Sequence, residues 1–348
     1  MKAQSISTYG ASAALRALVN QNKAELVKAR QEATTGSVFD VGLSLGAKSG
    51  QTISLRKEYD RLDVLTDMNK LVQQRMTTTQ TTTTAIIEKV QNFLGDLTGA
   101  SNTAESIATS AQSARAMLDS VTGHLNTSYN GEYIFSGVNT DVKPLNDYTQ
   151  GGDAQKAIQK AFADHFNFAM DDARVADITA DQMKSFLEGD FAEQFNDANW
   201  DLNWSNASDT VIKSRISPTE TASTSISANA DGFRKAIMSA VMIAEFANIG
   251  LNSSAFGALT SQALTTTSQA ITQTTSEQTT LGLAQSRTTD AITRIAAQQK
   301  ILNDSVNNLE EVDPYDASVR VNALMTQMET SYALTVKLQN MSLLNYLK

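Results

Sequence analysis

Near the C-terminus a helical apolar register runs without a slip: Leu264, Thr267, Ile271, Thr274, Gln278, Leu281, Gln285, Thr288, Ile292, Ile295, Gln299, Leu302, Val306, Leu309. Its steps alternate between three and four residues. That alternation keeps one stripe of a helix turned toward a partner over many turns, as in a coiled-coil seam. A second register reads Leu62, Leu65, Asn69, Val72, Met76, Thr79, Thr83, Ile86, Val90, Phe93, Leu97. A third reads Ala104, Ile107, Ala111, Ala114, Leu118, Val121, Leu125. Long helices at both ends of a chain, spaced to pack on each other, point to a part that is assembled rather than to an enzyme.

Breakers mark where these helices stop. The three prolines are Pro144, Pro218 and Pro314, and none falls inside a register. Proline disrupts helix interiors, so 1–137 and 219–313 are free to be helical. A first helix is expected over about 9–34, with Leu15, Val19, Leu26, Ala29 and Ala33 on one stripe and Asn22 in the seam. Gly36 is placed to stop it. Residues 36–50, rich in Gly and Ser, read as an irregular linker. The threonine run Thr77–Thr84 is mediocre helix sequence, so packing must keep it helical. Asn130-Gly131 signals a turn, and Tyr133-Ile134-Phe135 has strand-like residues. A last helix over about 316–347 carries Val321, Leu324, Met325, Met328, Tyr332 and Val336 on one side, with Leu334, Leu338, Met341 and Leu344 on an adjacent stripe.

The middle of the chain differs. Residues 138–232 hold 16 acidic and 7 basic residues, −9, whereas the rest holds 21 of each. Both tryptophans, Trp200 and Trp204, lie there. Segments 154–170 and 179–197 look helical. The period-two stretch Trp200–Trp204 and part of Thr210–Ile216 look like short strands. The expected fold is therefore mainly α: an elongated coiled-coil helical frame formed by both chain ends, with a small α+β insert. The division is 1–45 (terminal helix and linker), 46–137 (long helices), 138–232 (acidic insert), 233–313 (long helices) and 314–348 (terminal helix).

An acidic insert argues against nucleic acid, whose binding rests on neutralising phosphates. With no cysteine there is no disulfide and no thiolate metal site. Residues 1–10 have no apolar core of a cleaved signal, and no stretch of about 18 apolar residues suggests a membrane span. His124 and His165 are far apart and lack metal-ligand spacing. The acids Asp171-Asp172 and Asp177/Asp181 form no calcium loop. No phosphate-binding glycine loop or nucleophile elbow is present. Neither a catalytic residue, a cofactor nor a metal is expected.

Three features resemble the flagellin family, and within it the hook–filament junction proteins. They are the N-terminal helix with Leu15 and Leu18 running into Ala33-Thr34-Thr35-Gly36, the segment Gly131-Glu132-Tyr133-Ile134-Phe135-Ser136-Gly137, and the C-terminal run 316–348. The resemblance covers about 1–137 and 233–348 and leaves out the insert. It implies assembly through the terminal helices: Leu15, Leu18, Val19, Leu26 and Ala29 on one, and Val321, Leu324, Met328, Tyr332, Leu338 and Met341 on the other. Gly131, Tyr133, Ile134, Phe135 and Gly137 would be the family motif. The implied partners are further copies of the chain, flagellin, a hook-proximal hook-associated protein, and an export chaperone on the apolar C-terminal helix. The implied location is the extracellular bacterial flagellum, reached by type III export without a cleaved signal peptide. The alternatives are a filament flagellin, a type III secreted coiled-coil effector or translocator, and an enzyme carried by the insert.

Overall fold

The computed structural model describes residues 8–346, and side chains over 10–337. It divides into two compact units, one holding the described residues up to Val64 and from Ile295 onward, the other Leu65–Arg294. Two helices contribute to both: α3 (Ser49–Thr98) and α10 (Ser253–Glu310).

The first unit also contains α1 (Thr8–Thr35), α2 (Val41–Leu45) and α11 (Pro314–Tyr346). Here the expected irregular linker is partly wrong. Asp40 accepts a hydrogen bond from the Leu43 amide at 3.0 Å, and that N-cap starts the short helix α2. A 3₁₀ turn, Gly46–Lys48, then leads into α3.

The second unit holds the remainder of α3 and α10 together with α4 (Ala104–Leu125), β1 (Ser128–Tyr129), β2 (Glu132–Tyr133), α5 (Asp153–Phe166), α6 (Ala180–Glu188), α7 (Asp190–Glu193), α8 (Asp197–Asn203), β3 (Lys213–Ser217), β4 (Glu220–Ser223) and α9 (Asp231–Phe246). Mainly α with a small α+β insert is what the chain folds into. Among the described residues no helix is long and apolar enough to cross a membrane.

Nine of the eleven α3 register residues, Leu62, Asn69, Met76, Thr79, Thr83, Ile86, Val90, Phe93 and Leu97, are buried, and Leu65 and Val72 are half-buried. The threonine run stays helical because its hydroxyls are satisfied within the helix. Thr79 donates to the Arg75 carbonyl at 3.0 Å and Thr83 to the Thr79 carbonyl at 2.8 Å. A threonine bonded this way turns its methyl to the core and carries no unmet hydroxyl into it. The facing stretch of α10 does the same with Thr267 and Thr288.

Along their shared length α3 and α10 run antiparallel, joined by amide–hydroxyl rungs. The Gln73 amide donates to Thr289 Oγ1 at 2.7 Å, that of Gln285 to Thr77 Oγ1 at 2.9 Å, and that of Gln278 to Thr84 Oγ1 at 2.7 Å. Gln80 donates to the Gln278 carbonyl at 2.8 Å. Beside the seam, Ala263, Ala270, Ala284 and Ala291 are buried, and Glu277 takes the place that a heptad repeat of alanines would fill.

The expected strand at Trp200–Trp204 is a helix, α8. Trp200 and Trp204 are one helical turn apart, stacked with ring centroids 5.8 Å apart at an interplanar angle of 11°. Leu202 between them is 75% exposed. Residues two apart cannot share a helix face, so period two at the tryptophans was a shadow of period four. Around them the insert packs an aromatic core: Phe162, Phe186, Phe191 and Trp200 are fully buried, and Phe186 lies 5.3 Å from Phe246 of α9. The strands β3 and β4 form an antiparallel hairpin with an irregularity between Arg215 and Ser217. Its seat on the long helices explains the polar Asn69 in the α3 seam, which donates to the Ile216 carbonyl at 2.8 Å. Glu220 adds ion pairs to Arg287 and Arg294 of α10 at 2.8 and 3.3 Å.

Candidate assembly site

The residues singled out from the sequence fall in two places. In the first unit α1 packs along α11. The pairing is antiparallel: the Val312 amide meets the Gly36 carbonyl at 2.9 Å, Arg320 meets Glu32 at 3.0 Å, and Arg30 donates to the Met325 sulfur at 3.7 Å. On α1 the stripe turned inward is Leu15, Val19, Asn22, Leu26 and Ala29, with Leu26 and Ala29 fully covered and Leu15 and Val19 half-buried. On α11 it is Ala317, Val321, Leu324, Met328 and Ser331, with Val321, Leu324 and Met328 half-buried. Leu18 and Tyr332 lie off this seam and are exposed. Leu338 and Met341 lie outside the residues whose side chains are described.

Two stripes of α11 can be told apart. The inner one is taken up by α1. The outer one, with Tyr315, Val319, Tyr332 and Val336, is exposed, as are Leu18 and Val27 of α1, while Met325 flanks the seam beside Arg30. Inside the seam, Asn22 is buried, and its amide nitrogen has no hydrogen-bond partner among the described residues.

At the base of the pair a clasp forms that the sequence did not suggest. The Val38 amide bonds the Glu310 carbonyl at 2.8 Å, and Ser37 bridges to Glu311. Glu32 is buried, taking the Phe39 amide on one oxygen and Arg320 on the other. Glu310 is buried too and pairs with Arg56 of α3. Each buried carboxylate thus ties together segments from opposite ends of the chain. A buried carboxylate demands such partners, because unpaired it would cost several kcal/mol (~3–5).

The motif residues fall in the second unit and have a structural task. Asn130 (φ 54°) and Gly131 (φ 85°) make the tight turn between β1 and β2, with the two consecutive positive φ values of a type I′ two-residue hairpin loop. Arg75 of α3 grips the hairpin through Glu132 at 2.7 Å and the Tyr133 carbonyl at 3.2 Å. Tyr133 is half-buried, and Ile134 and Phe135 are fully buried, Phe135 edge-on to Phe233 of α9 at 5.7 Å. The Phe135 carbonyl accepts from the Ala228 amide at 2.7 Å, and the Ser136 carbonyl from the Ser208 amide at 3.0 Å. Gly137 sits at φ 63°. A Cβ there would lie 2.7 Å from the Thr210 carbonyl oxygen and closer still to that of Ser208, so only glycine fits. The segment is the knot where α3, the insert and the start of α9 meet.

Both histidines have local roles. Burial, then the charge of Lys89, pushes the His124 imidazole below its ordinary value. His165 pairs with Asp190 beside the aromatic core. Among the described residues no three His, Cys, Asp or Glu side chains are grouped to hold a metal ion.

No curated protein sequence matches the chain. A solved structure of a Vibrio parahaemolyticus protein described as flagellar hook-associated has the same fold, with a TM-score of 0.54 at 12% identity, over 77% of this chain and 99% of that one. The bacterial flagellin N-terminal helical region matches residues 6–140, and the flagellin C-terminal helical region matches 264–347. Both matched regions supply the terminal helix pair and the long helices, and on that ground the chain belongs to the flagellin family, the structural, self-assembling proteins of the extracellular flagellum.

Proposed function

We propose that this chain joins the flagellar hook to the filament as a hook-associated junction subunit. The observation that carries the reading is the outer apolar stripe of α11, left uncovered while the inner stripe is filled by α1. The terminal helices then act as the assembly site, with Leu15, Leu18, Val19, Leu26 and Ala29 on one and Val321, Leu324, Met328, Tyr332, Leu338 and Met341 on the other. The inner residues hold the pair together and the outer ones meet neighbours. A junction subunit needs unlike faces, since open assemblies form by heterologous contacts. Its neighbours are further copies of itself, flagellin on one side and a hook-proximal hook-associated protein on the other. An export chaperone covers the α11 surface before assembly, and export proceeds without a cleaved signal peptide. The five segments 1–45, 46–137, 138–232, 233–313 and 314–348 divide the labour, with the acidic insert facing solvent. The role is noncatalytic and involves neither nucleic acid nor membrane insertion. The likeness to a protein described as hook-associated supports this choice over a filament subunit, which is the second reading and rests on the flagellin regions themselves.

Electron microscopy of a strain lacking the gene, with flagellin assayed in the medium, tests it. Hooks without filaments and flagellin shed into the medium are expected. Intact filaments would refute the junction role.

A further inference from the structure

Beside the clasp, in the first unit, lies a pocket of about 420 Å³ walled by Arg56, Tyr59 and Asp60 of α3 and Asn303, Val306 and Glu310 of α10. Glu310 is 5% exposed and spends one carboxylate oxygen on Arg56. Its other oxygen, Oε1, is buried and has no hydrogen-bond partner among the described residues. A buried carboxylate oxygen without a donor is costly, which leaves this wall of the pocket short of one.

The lining decides which donor. Glu310 and Asp60 bring two negative charges and Arg56 one positive, so the pocket is one charge short of neutral. A single monocation balances it, and a divalent metal overshoots. Guanidinium binds carboxylates best through two parallel bonds, and Glu310 has only one oxygen free. A primary ammonium carries three donors on one nitrogen and suits a wall that offers the Glu310 and Asp60 carboxylates and the Asn303 side-chain amide. The Tyr59 ring and Val306 offer apolar walls for the methylene stem that carries such a group. We propose that this pocket receives a lysine side chain from an adjoining subunit, locking neighbours together beside the α1–α11 pair. The subunit source rests on the assembly reading above; the pocket's preference for an ammonium does not.

Saturation-transfer NMR on the full chain, with Nα-acetyl-lysine amide as probe and Nα-acetyl-glutamine amide as control, tests the chemistry without any assembly. Lysine methylene signals should be enhanced and the glutamine control silent. Glu310→Gln and Asp60→Asn should each weaken binding about five-fold. Asp60→Asn is the safer variant, since no bond of the clasp uses that side chain. Equal enhancement of the two probes, or no change in Asp60→Asn, overturns the proposal. Carbodiimide coupling of assembled mixtures then finds the source. Asp60 linked to a lysine of an isotopically heavy copy identifies a second copy of this chain, and Asp60 linked to flagellin identifies that neighbour. Links confined to one chain, or none, overturn the intersubunit role even where the free probe binds.

Discussion

Around Phe186 the insert buries rings against rings, with Phe162, Phe166, Phe191 and Phe246 at centroid distances of 5.3 to 6.0 Å. Along α3 and α10 the same unit buries threonine methyls and small alanines and crosses the gap with glutamine rungs. The first is held by area removed from water and ring geometry. The second gains little per residue and depends on repetition and register, because amide–hydroxyl rungs meet only in one alignment. Stability concentrated at a few large side chains is fragile to point substitution. Stability spread along a seam is tolerant of it.

The sharpest way to break this contrast is to truncate a ring. Phe186→Ala should destabilise the second unit by about 3–5 kcal/mol, read as a drop in the urea midpoint followed by tryptophan fluorescence. A loss under about 1 kcal/mol would mean the aromatic cluster is ornamental. Gly137→Ala comes next. Its methyl meets two backbone carbonyls at a positive φ, so a loss of about 2 kcal/mol or more is expected by the same measurement.

A third prediction concerns the terminal pair. Leu324→Asp, on the inner stripe, should melt α1 and α11 in circular dichroism while the unfolding of the second unit stays in place. Tyr332→Asp, on the outer stripe, should leave the monomer's spectrum unchanged and abolish co-assembly with flagellin in sedimentation. Equal effects of the two would erase the distinction between inner and outer stripes.

The smallest effect sharpens the seam. Burial, and after it the nearby Asp231 carboxylate, raises the Glu277 carboxyl above its ordinary value. A carboxyl whose native value is raised favours the folded state only while protonated. Its contribution is present below the unfolded value, near pH 4, and is lost as pH rises through the raised native value. Glu277→Ala completes the alanine column and should stabilise by about 0.5 kcal/mol at pH 7, with the gain vanishing near pH 3. Thermal melts at the two pH values check the sign.

What could be read from the sequence follows from how local each signal is. The helix seams and the Asn130-Gly131 turn were legible because period and turn chemistry act over a few residues. Gly36 ends α1 one residue later than expected, at Thr35. The tryptophan helix was misread because spacings of two and four coincide at Trp200 and Trp204, and only the exposure of Leu202 separates them. The clasp was invisible for another reason. Glu32 and Arg320 are 288 residues apart, and Arg56 and Glu310 are 254 apart. No window of sequence contains both partners. Asn69 was seen as a polar intruder in a seam, but its acceptor, the Ile216 carbonyl, belongs to a backbone that composition does not reveal.

The rungs between α3 and α10 also set an order of events in time. Gln73 and Thr289 are separated by 216 residues, whereas the bond from Trp200 to Asn229 spans 29 and the pair His165–Asp190 spans 25. Contacts that close short loops form early, and those that close long loops form late. The insert should therefore condense first and draw in the stretch of chain between the two long helices. The rungs then follow, those closing the shorter loops first, from Gln278–Thr84 at 194 residues to Gln73–Thr289 at 216, so that the insert acts as the nucleus for the part that repeats.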